Sequence, residues 1–197
     1  MPTIILASQS PRRQELLRRI GLRDFTVLVP HAPEHWDPTL SPEEGVTAIS
    51  RAKAAAAAAL CGPSDILIAA DTMVFLKNRR LGKPADEAEA FAMLSALSGR
   101  THTVCTGLTV RQGDQVLSGA ERTTVRFRPL TEGEIRSYIA TGEPMDKAGA
   151  YGIQDRGALL VEGIEGDFFN VMGLPVLRLS RMLRTFGVDL LCGGEAV

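Results

Sequence analysis

Cysteine is scarce in this sequence, which has three cysteines in 197 residues. Cys61, Cys105 and Cys192 are widely spaced and odd in number. They therefore predict neither a disulfide framework nor a paired-cysteine metal site, and a reducing compartment suits them best. The three histidines likewise share no ligand spacing with each other or with a cysteine, which argues against a structural zinc site.

Long apolar runs and an excess of charge of one sign are also missing. The longest uninterrupted apolar run, 54–61, is mostly alanine and far below the ~18 residues that span a bilayer. The short run 4–7 is followed, not preceded, by basic residues, unlike a signal peptide. With 22 Lys+Arg against 23 Asp+Glu, the net charge is −1, which excludes a globally basic nucleic-acid binder. We expect a cytoplasmic protein with neither a membrane nor a nucleic acid as partner.

The remaining composition is that of a globular protein. Hydrophobic residues make up 45% and charged residues 23% of the chain, close to the averages of soluble domains. No linker or repeat divides the sequence, so residues 1–197 are expected to form one domain. Helical and extended patterns alternate along the chain, which predicts an α/β fold.

Local signals place the elements. We expect a strand over 3–7, a helix that begins at Ser10-Pro11 and stops at Gly21, and a second helix capped by Ser41 and Glu44. The segment 65–70, one aspartate followed by five apolar residues, predicts a buried strand that delivers Asp71 and Thr72 at its carboxyl end. Further along, the patterns predict a helix over 86–97, a β-turn at 112–114 between extended segments, a helix capped by Thr131, a strand over 157–162 and a last helix from Pro175.

The cluster Ser8-Gln9-Ser10-Pro11-Arg12-Arg13 is the first candidate site. Cations at a helix N-terminus oppose the helix dipole, but an anion would bring the free N–H groups, the hydroxyls and both guanidinium groups together. Phosphate is the natural anion. The alternative is an exposed basic first turn, offset by pairing of Glu15 with the arginines of the next turn.

Three further positions carry charge that suits a phosphate ligand. Asp71 could bind a divalent metal or take a proton from water, or it could simply be a turn residue or helix cap. Lys83, in Gly82-Lys83-Pro84, could contact phosphate or be solvated in a turn. Lys53 lies on a helix otherwise made of alanines, where it either reaches a phosphate or keeps the helix soluble.

The glycine-rich stretch 146–154 ends at Gln154, whose amide offers both a donor and an acceptor to a base edge. Its glycines allow a close approach of backbone to a ligand. Their spacing fits neither a dinucleotide-binding fingerprint nor a P-loop.

Taken together, these stretches resemble the Maf family of nucleoside triphosphate pyrophosphatases. The resemblance covers nearly the whole chain, and the matching stretches occur in the same order: 6–17 (LASQSPRRQELL), 70–72 (ADT), 82–84 (GKP), 97–102 (LSGRTH), 146–154 (DKAGAYGIQ) and 170–175 (NVMGLP).

The resemblance implies an elongated fold like that of Maf proteins and ITPases, with a central mixed twisted sheet flanked by helices and two lobes separated by a cleft. It also implies a cytoplasmic, often homodimeric enzyme that cleaves a nucleoside triphosphate between the α and β phosphates with Mg²⁺ or Mn²⁺. The implied biological role is house-cleaning, the removal of unwanted nucleotides from the nucleotide pool. Asp71 would be the general base and, with Glu34, would hold the metal. The substrate-binding residues implied are Ser8, Arg12, Arg13, Lys53, Thr72, Lys83 and Gln154.

Arg12, Thr72 and Gln154 together resemble the family branch that acts on dTTP and UTP. The segment 31–37 departs from the family's acidic loop, so Asp37 is a second candidate for the metal role of Glu34. Two alternatives stay open at this point: a nucleotide-binding regulator of cell division without turnover, and a pyrophosphatase with another base preference, for 7-methyl-GTP or a modified pyrimidine nucleotide.

Overall fold

The computed structural model describes residues 2–32, 35–77 and 79–192. Within these residues, seven strands form a mixed sheet in the order β2-β1-β3-β5-β6-β7, with β4 paired to β3. The strands are β1 (Ile4–Leu6), β2 (Thr26–Val27), β3 (Ile66–Leu76), β4 (Arg79–Leu81), β5 (Thr101–Gln112), β6 (Gln115–Phe127) and β7 (Val161–Glu165). The helices are α1 (Pro11–Arg19), α2 (Pro42–Ala58), α3 (Glu87–Leu97), α4 (Glu132–Ile139), α5 (Phe168–Met172) and α6 (Val176–Thr185).

The α/β class and the mixed sheet are confirmed. β1 pairs in parallel with both β2 and β3, whereas β3–β4 and β6–β7 are antiparallel. The two predicted capping boxes are present, at Ser41–Glu44 and Thr131–Glu134, and they fix the first turns of α2 and α4. Gly113 takes a φ of 55° in the turn that joins β5 to β6, at the predicted position.

The contacts divide the chain into two compact units. The first contains the described residues of Met1–Asp71, Thr106–Glu121 and Gly173–Val197, and the second contains Thr72–Cys105 and Arg122–Met172. β3, β5 and β6 contribute residues to both units. The chain thus passes from one unit to the other several times.

Each unit has an apolar core of its own. In the first, alanines of α2 pack against β1 and β3, in a cluster made of Ile5, Ala7, Ala54, Ala57, Leu67 and Ala69. In the second, α3 and α4 pack against the parts of β3, β5 and β6 that belong to this unit. Leu94, Phe127 and Ile135 are among the buried side chains. Among the described residues, no helix combines the length and the hydropathy that a membrane span requires.

Two predicted strand boundaries were wrong. β3 does not end at Ala70 but continues to Leu76, so Asp71 and Thr72 lie inside the strand. The apolar residues after Thr72 remain buried, and the antiparallel register Val74↔Leu81 keeps them extended. The strand predicted over 157–162 begins only at Val161, because residues 155–160 form 3₁₀ turns and β7 follows them.

Candidate active site

The start of α1 gathers two arginines and two hydroxyls in the first unit. Ser10 is the N-cap and Pro11 the first helical residue, as predicted, and the first turn contains no acidic residue. The Ser8 hydroxyl oxygen accepts hydrogen bonds from Ser10 N at 3.2 Å and from Arg13 Nη1 at 3.1 Å. Arg12 lies half-buried in the same turn. This end of α1 therefore combines helix N–H groups with positive charge, which suits an anion.

Arg13 also contacts a distant part of the same unit. Its Nε donates to the carbonyl oxygen of Gly173 at 2.8 Å. Gly173 has a φ of 109°, a conformation that side-chain-bearing residues avoid, and it comes just before α6. The guanidinium group thus joins the start of α1 to the turn before α6, a positioning role that adds to the binding role implied by the resemblance.

Lys53 and Asp71 form an ion pair inside the first unit. The Lys53 Nζ lies 2.6 Å from Asp71 Oδ1, and the two side chains are only 16% and 7% exposed. The second carboxylate oxygen, Asp71 Oδ2, is buried and has no hydrogen-bond partner among the described residues. A buried acceptor without a partner is costly unless a ligand or water satisfies it. Asp71 is therefore placed to accept a hydrogen bond from water or to contact a cation.

The close packing of α2 on β5 brings Lys53 to this position. A Cβ on Gly107 would lie 2.1 Å from the carbonyl oxygen of Val46, so the helix backbone rests directly on the strand at a position that only glycine allows. A buried chain of hydroxyls fixes the same contact: Ser50 Oγ lies 2.8 Å from Thr109 Oγ1, which lies 3.0 Å from Ser118 Oγ. These residues were not predicted from the sequence, although an isolated glycine within a strand pattern can indicate such a close approach.

Of the two metal ligands that the resemblance implies, Asp71 and Glu34, only Asp71 lies among the described residues. Glu34 lies outside the described residues. Asp37, the second candidate, accepts two hydrogen bonds at Oδ1, from Thr39 N at 2.8 Å and Thr39 Oγ1 at 2.6 Å, which lower the pKa of its carboxyl. In the part of the chain that the structure describes, no group of three or more acidic, histidine or cysteine residues could hold a metal ion by itself.

The second unit contains the remaining predicted residues. Thr72 is half-buried in β3, next to Asp71 in the chain. Lys83 is exposed, which fits both of its predicted roles, a phosphate ligand and a solvated turn residue. The carbonyl oxygen of the neighbouring Gly82 accepts a hydrogen bond from Gly149 N at 2.9 Å. That bond fixes the Gly-Lys-Pro turn to the glycine-rich stretch.

The Gln154 amide has one satisfied and one unsatisfied end. Nε2 donates weakly to Asp155 Oδ2 at 3.4 Å, whereas Oε1 is buried and has no partner among the described residues. A buried acceptor in this state is costly unless a donor reaches it. A hydrogen-bond donor on a ligand would satisfy it, as the N–H of an imide does.

The structure thus brings Ser8 into contact with Arg13, and Lys53 into contact with Asp71, within the first unit. Neither contact was predicted as such. The sequence suggested each of these four residues as a ligand of substrate or metal, and it gave no indication that they would pair with one another.

Comparison with known proteins gives a consistent result. The family model described as Maf-like protein matches residues 3–186. A dTTP/UTP pyrophosphatase of Symbiobacterium thermophilum is 50% identical over 194 residues, covering 98% of this chain and 99% of that protein. A dTTP/UTP pyrophosphatase of Moorella thermoacetica is 53% identical over 192 residues, covering 96% and 97% respectively.

One solved structure, described as that of a HAM1 protein from Coxiella burnetii, covers 94% of this chain and 100% of that chain. Its TM-score is 0.47 and its sequence identity 16%. So slight a likeness decides nothing about the site.

Proposed function

This chain belongs to the Maf-like family, and on that premise we propose that it is a nucleoside triphosphate pyrophosphatase that hydrolyses dTTP and UTP to the monophosphate and pyrophosphate. The relatives at 50% and 53% identity are named for that activity and match over nearly their full length. The observation within this chain that best supports the proposal is the buried Lys53–Asp71 pair, in which Asp71 Oδ2 has no hydrogen-bond partner among the residues that the structure describes.

Asp71 acts in this proposal as the general base. Its unpartnered oxygen accepts a hydrogen bond from water and orients that water toward the α phosphorus. Lys53 stays beside the other oxygen and compensates the carboxylate charge in a place that solvent hardly reaches. The reaction needs no covalent intermediate, because water itself is the nucleophile.

The triphosphate is the most highly charged part of the substrate, with about four negative charges, so a chain of net charge −1 must concentrate its cations locally to bind it. We assign this role to Ser8, Arg12 and Arg13 at the start of α1, with contributions from Lys53 and Lys83. Thr72 and Gln154 are assigned to nucleotide binding, and the Gln154 Oε1 suits the N3–H of uracil or thymine.

A divalent cation, Mg²⁺ or Mn²⁺, is part of the proposal. One carboxylate with a free oxygen fits the way in which Mg²⁺ is bound beside phosphates, since that ion takes one or two carboxylates and completes its shell with phosphate oxygens and water. Asp71 would hold it, together with Glu34. When bound, the ion would neutralise charge on the phosphates. A cytoplasmic location, a homodimeric state and a role in clearing nucleotide pools are parts of the same proposal.

The proposal is tested by following the products and the oxygen that enters them. We expect UTP and dTTP, with Mg²⁺ or Mn²⁺ in ¹⁸O-labelled water, to give labelled monophosphate and unlabelled pyrophosphate. Asp71→Asn should abolish most turnover and still bind a nonhydrolysable α,β-methylene analogue of UTP. Asp65→Asn, which changes a carboxylate just before β3 that caps Gly62 N, is the matched control and should stay active. Release of orthophosphate with the diphosphate, or full activity of Asp71→Asn, would contradict the proposal. Binding without hydrolysis would favour the regulator instead.

A further inference from the structure

One carboxylate holds both sides of the loop that carries Gln154. Glu143 Oε1 accepts hydrogen bonds from Gly157 N at 3.1 Å and from the Tyr138 hydroxyl at 2.9 Å, and Oε2 accepts from Arg156 N at 3.2 Å. The Tyr138 hydroxyl oxygen in turn accepts from Gly152 N at 3.1 Å. A continuous hydrogen-bonded path therefore joins Gly152 to Gly157 through two side chains. We call residues 152–157 the Gln154 loop.

The ends of the Gln154 loop are in close contact. A Cβ on Gly157 would lie 2.0 Å from the carbonyl oxygen of Gly152 and 2.7 Å from the Tyr138 hydroxyl oxygen. Asp155, next to Gln154, has a φ of 56°, an uncommon conformation for a residue with a side chain. Backbone of that kind persists only where the surroundings hold it. The hydrogen bonds of Glu143 and Tyr138 provide such surroundings.

Lys147 makes further contacts with Glu143 and with Gly152, the first residue of the Gln154 loop. Lys147 Nζ donates to the Glu143 carbonyl oxygen at 2.6 Å and to Asp146 Oδ1 at 2.8 Å, and its side chain packs against Gly152. Tyr138 is 5% exposed, and its burial raises the pKa of the phenol. The hydroxyl therefore stays protonated at neutral pH and continues to donate to Glu143.

We propose that Glu143 and Tyr138 are positioning residues that fix the Gln154 loop, and that they thereby set the preference for uracil and thymine over cytosine. The inference rests on the proposed function, in which Gln154 contacts the base. Uracil and thymine present an N–H at N3, which the buried Gln154 Oε1 can accept, whereas cytosine presents a lone pair at that position. Discrimination between uracil and cytosine requires the Gln154 amide to keep its position and orientation. A more mobile loop should therefore weaken this discrimination.

The test compares UTP with CTP in the full-length protein and in the variants Glu143→Gln and Tyr138→Phe. Tyr138→Phe keeps the buried ring and removes both hydrogen bonds of the hydroxyl, so it carries the test even where Glu143→Gln fails to fold. Glu132→Gln is the matched control, because Glu132 lies on the exposed side of α4 and pairs with Arg136. Binding of inorganic triphosphate, which has no base, reports on the phosphate contacts alone.

We expect both variants to lower the ratio of the UTP kcat/KM to the CTP kcat/KM about tenfold or more, which is the scale of one lost base contact. Inorganic triphosphate should bind as it does to the unaltered protein. A general structural loss would lower both rates together and leave the ratio in place. A ratio that stays within about twofold of the unaltered value in both variants would overturn the inference. An unaltered protein that hydrolyses neither UTP nor dTTP would overturn the proposed function itself, and the specificity role with it.

Discussion

Replacing Lys53 with methionine measures how strongly the first unit depends on the partner of Asp71. The variant keeps most of the side-chain volume and removes the ammonium that lies 2.6 Å from Asp71 Oδ1. Because the carboxylate is only 7% exposed, solvent can replace little of that interaction. Asp71 Oδ2 already lacks a partner among the described residues, so the variant leaves a buried charge with almost no compensation.

The size of the effect follows from the burial. Removing one member of a buried ion pair costs about 3–5 kcal/mol, and we expect about 3 kcal/mol here because the Lys53 side chain is 16% exposed. For a chain of this length, each kcal/mol lowers the unfolding temperature by about 2–4 °C, so Lys53→Met should lower it by roughly 6–12 °C. The double variant Lys53→Met/Asp71→Asn removes both charges and should recover most of that loss.

Scanning calorimetry and urea unfolding of the four proteins of this mutant cycle give the coupling between the two side chains. Arg51→Met is the control, since Arg51 is an exposed cation on the same helix and its replacement should change stability by no more than about 0.5 kcal/mol. A Lys53→Met protein that unfolds within about 2 °C of the unaltered protein would refute the reasoning, as would a double variant as unstable as the sum of the single variants.

Two further predictions concern stability alone. Burial lowers the pKa of His102 from 6.5 to about 4, so the folded protein resists protonation of a group that the unfolded chain protonates readily. The contribution of His102 to the free energy of unfolding should therefore be fully present above about pH 6.5 and decline by roughly 3 kcal/mol as the pH falls to about 4. Urea unfolding across that range should show a flatter dependence of stability on pH for His102→Gln. The exposed His31→Gln is the control and should show no such flattening. Gly107→Ala should prevent normal folding, because its Cβ would meet the Val46 carbonyl oxygen at 2.1 Å. Gly133→Ala in α4 places a Cβ that has no described atom within 4 Å, so it should stabilise the protein by about 0.5–1 kcal/mol, and soluble yield and circular dichroism would separate the two variants.

The elements that the sequence predicted correctly depend on local interactions. The capping boxes of α2 and α4 each involve residues three apart, and the start of α1 depends on the adjacent pair Ser10-Pro11. Such signals are visible without knowledge of the tertiary structure. The strand order and the parallel pairing of β1 with β3 join distant segments, and only the general expectation of a mixed sheet came from the resemblance.

The failures have the same physical origin. The sequence predicts the end of β3 at Ala70, before the polar residues Asp71 and Thr72, but pairing with β4 keeps the strand extended to Leu76. The strand predicted from Gly157 begins only at Val161, because the amides of Arg156 and Gly157 donate to Glu143 instead of entering a ladder. In both cases a partner elsewhere in the chain decides a boundary that local polarity suggested differently.

Lys53 shows that a sequence can identify a candidate site residue without revealing what that residue contacts. A lysine among alanines suggests either a phosphate ligand or a residue that keeps the helix soluble, and the resemblance implies the first role. In the folded chain its ammonium contacts the carboxylate of Asp71, and that contact depends on the packing of α2 against β5 at Gly107. A residue type indicates which charge is present, whereas tertiary packing determines what that charge compensates. In the proposed mechanism Lys53 acts through Asp71, and the mutant cycle described above measures how strongly the two side chains stabilise each other in the folded chain.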